Sequence, residues 1–232
     1  MFLTDSKSKK ILFINMPSSF LSHQAPALYL KVTFPRKFDG TAICLATIVP
    51  DLHILFDIFI PFPLRYISHS LLGLFLWTMP ITILTTIVFA RYLAPNLAKL
   101  AKLKNPISRS LKFFGVDSWN YLRSKKFDKN FFIVGTYSAL IGGFTHLLLD
   151  FPAHEYIELF FPLIIKSPDF LLFPLFDFGT ITTTRGIFNF TLPVYRLLWL
   201  IFSFILIFPT LYHLRKMKKH ELIEKWNLDN IK

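Results

Sequence analysis

The chain has 232 residues, 53% of them hydrophobic, 28 of them phenylalanine and only 17% charged, a balance poorer in charge than soluble domains and suited to a lipid bilayer. Its formal charge of +12 does not point to nucleic acid, because Lys and Arg gather just outside apolar runs and no interleaved basic-aromatic groove is present. Cys44 is the only cysteine, which excludes an intrachain disulfide and a multi-thiolate metal site and leaves imidazole and carboxylate as the metal ligands on offer.

In chain order, residues 1–15 read as a polar leader. Asp5 lies in its charged start, and the apolar run at 11–14 is too short for the core of a cleavable signal peptide. Residues 40–60 are apolar but interrupted by Pro50, Asp51, His53 and Asp57, which predicts a broken helix of the kind tolerated where backbone lines a protein cavity. Residues 70–93 are almost uncharged and predict the first clear transmembrane helix, since about 1.5 Å per residue carries them beyond a hydrocarbon core of about 30 Å. Residues 131–150 predict the second span, polar only at its far end, and 192–212 the third, interrupted by Pro193, Arg196 and Pro209. Between the second and third, 155–188 are apolar yet punctuated by Pro162, Pro168 and Pro174, which predicts short interfacial or re-entrant helices. The expected fold is therefore all-α: a multi-spanning helical membrane domain over 16–213, followed by a basic tail at 214–232.

The basic loop at about 94–130, with Lys99, Lys102, Lys104, Arg109, Lys112, Arg123, Lys125, Lys126 and Lys129, should face the cytoplasm, as should the tail. If Arg91 ends the first span inside, His69 begins it outside. If Lys129 precedes the second span inside, His146 and Asp150 lie near its outer end. Residues 155–188 then fall on the extracytoplasmic side or at its interface.

Six metal-capable side chains lie along this plan: His23, Asp51, His69, His146, Asp150 and His154. Such groups are expensive in a membrane segment unless something compensates them, so their recurrence argues for one site that holds them together. His146 and Asp150 are four apart and share a helix face with Gly135, Ala139 and Gly142, small residues that suit close packing in the bundle. A lone His-Asp pair would serve structure alone, and Pro50-Asp51 alone would read as a helix end. Four further candidates move the reading to a metal site. His53 and Asp57 read as interfacial, and His213 and His220 as solvated surface residues. A lipid phosphatase of the acid-phosphatase type would add an Arg before the His and a Pro-Ser-Gly-His element, and neither is present. No Gly-x-Ser-x-Gly elbow, His-Glu-x-x-His pair or phosphate-binding Gly-rich loop occurs.

Met16-Pro17, Ser22-His23, the run from Ala46 to Val49-Pro50-Asp51, the run from His69 through Gly73 to Pro80, Thr145-His146 to Asp150, His154 and Pro193 to Arg196 form an ordered set. Over roughly 16–213 this set resembles a family of bacterial integral membrane proteins, domain of unknown function 4184. The chain departs from the family pattern at Ala46 and Thr47, where Gly-Ser is usual, at Thr78, where an acidic residue is common, and at Leu149, where an aromatic is usual. The order of the six residues is similar to that in membrane-bound metal-dependent hydrolases and helical zinc-dependent phospholipases C. That resemblance implies all six as ligands of a divalent metal, zinc first, with Asp51 and Asp150 catalytic and Asp51 able to bridge two ions. The metal would lower the pKa of a water and stabilise charge developing on an ester. It further implies hydrolysis of an ester or phosphodiester, in a lipid or envelope polymer, at the outer face of a bacterial cytoplasmic membrane. The competing expectation is a non-enzymatic scaffold or transporter-like protein with a structural or binding His/Asp cluster.

Overall fold

The computed structural model describes residues 20–225 apart from 58, 61, 184 and 185, so the leader, the Met16-Pro17 element and the last residues of the basic tail lie outside the described residues. The fold is mostly helical. Helix α1 (Gln24–Thr33) and α2 (Gly40–Ala46) lead into a 3-10 turn at Val49–Leu52 and two single-turn helices, α3 (His53–Phe56) and α4 (Arg65–Ser68). Three helices are long and apolar enough to cross a membrane: α5 (Leu71–Leu100), α7 (Lys129–Ala153) and α9 (Val194–Lys219). Between α5 and α7 lie α6 (Pro106–Phe113) and a 3-10 helix at Val116–Ser124, and the chain closes with α10 (Leu222–Lys225).

Local chemistry sets these boundaries. Side chains at the N-caps accept otherwise orphaned backbone N–H groups: Asp39 from Ala42, Ser70 from Gly73, Asn105 from Ser108 and Asp128 from Phe131. Pro193 precedes α9, and its ladder relaxes at Leu206, where Pro209 lacks the N–H that would bond the Ile205 carbonyl. Helix α5 widens into π turns at Leu74–Thr78 and Phe89–Leu93, and Pro80 and Pro95 follow shortly after them. A widened turn relieves the clash of a proline ring with the carbonyl four residues earlier, so α5 passes both prolines without ending. Arg91 consequently lies inside the helix, which continues to Leu100 instead of stopping near residue 93.

The all-α expectation needs correction between residues 156 and 193. The re-entrant helices expected there are replaced by two antiparallel hairpins, β1 (Tyr156–Phe160) with β2 (Leu163–Lys166), and β3 (Pro174–Thr183) with β4 (Gly186–Pro193); only the single turn α8 (Asp169–Leu172) is helical. The three prolines fall between or at the start of elements, Pro162 in the first turn, Pro168 before α8 and Pro174 opening β3. Segments of four to ten residues rich in Phe, Ile and Thr pair readily as strands, and proline at an end does them no harm.

Helix α7 is the centre of the bundle. Its residues Gly135, Ala139, Gly142, His146 and Asp150 are all buried. A Cβ at Gly142 would lie 2.4 Å from the Ile43 carbonyl oxygen, and one at Gly143 would lie 2.6 Å from the Thr78 methyl. Here α2 and α5 approach α7 closer than a side chain permits. Away from the site, Leu28, Ala90, Ala94, Leu122 and Met217 join α1, α5 and α9 in one apolar cluster. Lys125 of the basic loop is buried, ion-paired with Asp39 and set over the Phe131 ring.

Candidate metal centre

The residues that bring the site together come from both ends of short elements. The Val49–Leu52 turn presents Asp51. The Trp77 indole N–H donates to the Val49 carbonyl at 3.0 Å and the His53 Nδ1 lies 2.8 Å from the Pro50 carbonyl, so the turn is pinned on both sides. His69 sits at the end of α4, just before the Ser70 cap of α5, and His146 and Asp150 occupy the last turns of α7. His23 immediately precedes α1, and His154 follows the turn after α7.

All six sequence candidates meet around Asp150. Its Oδ1 lies 3.1 Å from His23 Nε2, and its Oδ2 lies 3.3 Å from the Nε2 atoms of His69, His146 and His154. Asp51 Oδ1 is 3.4 Å from His69 Nε2 and 3.7 Å from His146 Nε2, and those two nitrogens are 3.4 Å apart. Asp51, His69, His146 and Asp150 each offer one ligand atom, all within 4.8 Å of one another. Four donors bonded at about 2.1 Å to a tetrahedral ion stand about 3.4 Å apart. Five of the separations in this group cluster near that value. The donor set, two carboxylates and borderline imidazoles with no thiolate, fits zinc and its neighbours. His23 and His154 extend the group to either side of Asp150, His23 through the opposite carboxylate oxygen. The group is centred on Asp150, whose two oxygens reach four imidazoles, whereas Asp51 is at its open edge.

Three of the imidazoles turn Nε2 inward and are held from behind at Nδ1. His146 meets the Thr47 carbonyl at 2.9 Å, His69 the Ser68 hydroxyl at 2.9 Å and His23 the Ser22 hydroxyl at 3.4 Å. Such outer partners fix ring orientation and tautomer and leave Nε2 as the ligand atom. The Thr47 contact uses the backbone carbonyl and so does not depend on the side chain at that position. For Asp51, burial would raise the carboxyl pKa, but the imidazoles of His146 and His69 outweigh it and hold the group below the usual carboxylate range, as an anion.

Sequence reasoning placed His53 at an interface. It is buried, packs edge-on against His69 with ring centroids 5.3 Å apart, and points Nε2 at Asp57, 3.7 Å away. It supports the site without facing it. Arg65 and Glu158, which the sequence did not single out, form an ion pair at 3.2 Å beside the group. The only local signal was that Arg65 precedes His69 by one helical turn.

Among the described residues, two clefts border the centre. The larger is lined by Arg65, His69, Asp150, His154, Tyr156 and Glu158. The other lies against α9 and is lined by Ser22, His23, Asp150, Trp199, Phe202 and Leu206. Asp150 borders both.

Fold and site together define a mostly helical protein with three helices apolar enough to cross a membrane and a buried His/Asp group able to hold a metal ion. The chain belongs to the family described as Domain of unknown function (DUF4184), whose model matches residues 16–160. That span contains all six candidate ligands and ends with β1, before the hairpin β3–β4 and α9. No curated protein and no solved structure matches the chain.

Proposed function

We propose that the protein is a membrane-embedded, metal-dependent hydrolase of an ester or phosphodiester, working at the extracytoplasmic face of a bacterial cytoplasmic membrane with its C-terminus inside. The observation that carries this reading is the near-tetrahedral spacing of Asp51, His69, His146 and Asp150, with His23 and His154 on the flanks. A divalent ion such as zinc, when held there, supplies Lewis acidity and a water of lowered pKa. Asp150 gathers the imidazoles and offsets cationic charge. Asp51, anionic and with its side chain 31% exposed at the edge of the group, would hold the attacking water in place by a hydrogen bond. The bilayer reading rests on α9, of whose most apolar 18-residue stretch only 6% is buried within the protein, leaving Phe204, Ile205 and Phe208 outward.

The decisive test is metal analysis of detergent-purified protein together with hydrolysis of bis(p-nitrophenyl) phosphate. At least about one zinc-class ion per chain is expected of such a His/Asp set, with turnover lost on chelation and restored by zinc. A folded protein that takes up no divalent metal sinks the proposal. For orientation, reporter fusions after Lys104 and after Lys219 should give cytoplasmic signals and one near Lys166 the opposite; matching signals at all three overturn the topology.

One observation favours a transporter-like reading. The hydroxyls of Thr78, Thr82 and Thr86 on α5 and of Thr41 on α2 are buried and make no hydrogen bond among the described residues. The α5 threonines are spaced four apart, so they form a polar row inside the bundle. Zinc flux into proteoliposomes, unaffected by loss of hydrolysis, would establish that reading over the enzyme.

A further inference from the structure

We propose that Arg65 is the substrate-recognition residue of this site and that the group it recognises is a phosphate, which narrows the substrate class to phosphate esters. The inference rests on the hydrolase reading for its chemistry but on different residues for its evidence.

Among the residues lining the larger cleft, Arg65 is the only Lys or Arg, and it shares that cleft with His69, Asp150 and His154. Its side chain is 22% exposed and is docked on Glu158, itself 8% exposed. The ion pair uses Nε, at 3.2 Å from Glu158 Oε1, and the terminal guanidinium nitrogens hold no acceptor among the described residues. A guanidinium fixed by Nε in this way presents a planar pair of N–H donors with little conformational freedom left to lose.

A phosphate oxygen pair matches that fork in geometry and charge, and the resulting hydrogen bonds are charge-assisted. A carboxylic ester has no anionic oxygen to offer at this position. Glu158 has a second effect. It cancels the formal charge of Arg65 at long range while leaving the fork's local donors, so the cleft accepts an anion through directed bonds and not through a general positive field. Arg65 also stands on the short helix α4 that ends at His69, one helical turn before an imidazole of the metal group, and both residues line the same cleft. Anion recognition and metal ligation are joined within the five residues 65–69.

The experiment measures binding of inorganic phosphate to the purified protein by calorimetry, alongside metal content, in the native chain and in Arg65→Gln and Arg65→Lys. Arg65→Gln should keep the native metal content and weaken phosphate binding by about tenfold or more, as expected for loss of a charge-assisted pair. Arg65→Lys should recover part of that loss, because it keeps the charge but not the fork. Unchanged phosphate affinity in Arg65→Gln with metal retained overturns the proposal. If Arg65→Gln does not fold, an Arg65→Lys variant with native phosphate affinity overturns it equally. A native protein that binds no metal but binds phosphate in an Arg65-dependent way would sink the hydrolase reading, and with it the substrate assignment, while supporting Arg65 as the phosphate-binding residue.

Discussion

Asp150→Asn should strip the purified protein of its metal, lowering affinity by roughly a hundredfold or more, beyond what removal of a mere outer partner achieves. Asp150 is the carboxylate that reaches most of the site. Its two oxygens contact His23, His69, His146 and His154. Asn preserves the size of the side chain but removes the negative charge that balances a cation, and one of its two ends becomes an amide donor that cannot ligate. Asp51→Asn should weaken metal binding less, because Asp51 meets two imidazoles at the open edge. His53→Ala should leave metal content near native, since its Nδ1 serves the Pro50 carbonyl and its Nε2 faces Asp57. Metal content by mass spectrometry, with membrane insertion and monodispersity checked for each variant, gives the order. Full metal in a folded Asp150→Asn protein would sink the metal reading. Loss of metal in His53→Ala with retention in Asp51→Asn would instead redraw the site around His53, which is close enough to His69 to make that outcome intelligible.

Which polar residues meet was more legible in the sequence than the architecture around them. His146 and Asp150 were legible because a helix places residues four apart side by side and because Gly135, Ala139 and Gly142 marked the same face as buried. His23, Asp51, His69 and His154 were legible as expensive polar groups at the ends of apolar runs. What brings them onto Asp150 is tertiary: the Thr47 carbonyl behind His146 and the Trp77 indole behind the Asp51 turn join residues 99 and 28 positions apart. The hairpins at 156–193 were misread because short apolar runs carry no period long enough to separate strand from helix. Proline spacing was taken as breaking helices when it was delimiting strands. Arg91 does not end the first long helix, because the π turn at Phe89–Leu93 carries α5 past it to Leu100. Arg65 and Glu158 escaped notice because each is ordinary alone, and their significance lies in a pairing 93 positions apart.

Gly142→Ala should destabilise the protein by about 1–3 kcal/mol or more, a large share of the roughly 5–15 kcal/mol that holds a typical domain folded. The added methyl would meet the Ile43 carbonyl oxygen at 2.4 Å and the Ala46 Cβ at 2.8 Å. The first of these is backbone, so relief requires α2 to move away from α7. That movement has a chemical consequence, because the chain just beyond α2 supplies the Thr47 carbonyl that orients His146. Metal affinity should therefore fall together with stability, although position 142 lies one helical turn from the nearest ligand. Gly135→Ala on the same face is the control. Its methyl would meet only the ends of the Ile83 and Phe131 side chains, at 3.1 and 3.3 Å, which can give way. Alanine also improves helix propensity by about 1 kcal/mol over glycine, so this variant should remain near native stability. Denaturant midpoints for the two variants in one detergent, with metal content measured in parallel, make the comparison. Equal stability for Gly142→Ala and Gly135→Ala would mean that α2 yields freely at this crossing, and the rigid placement of His146 by α2 would have to be abandoned.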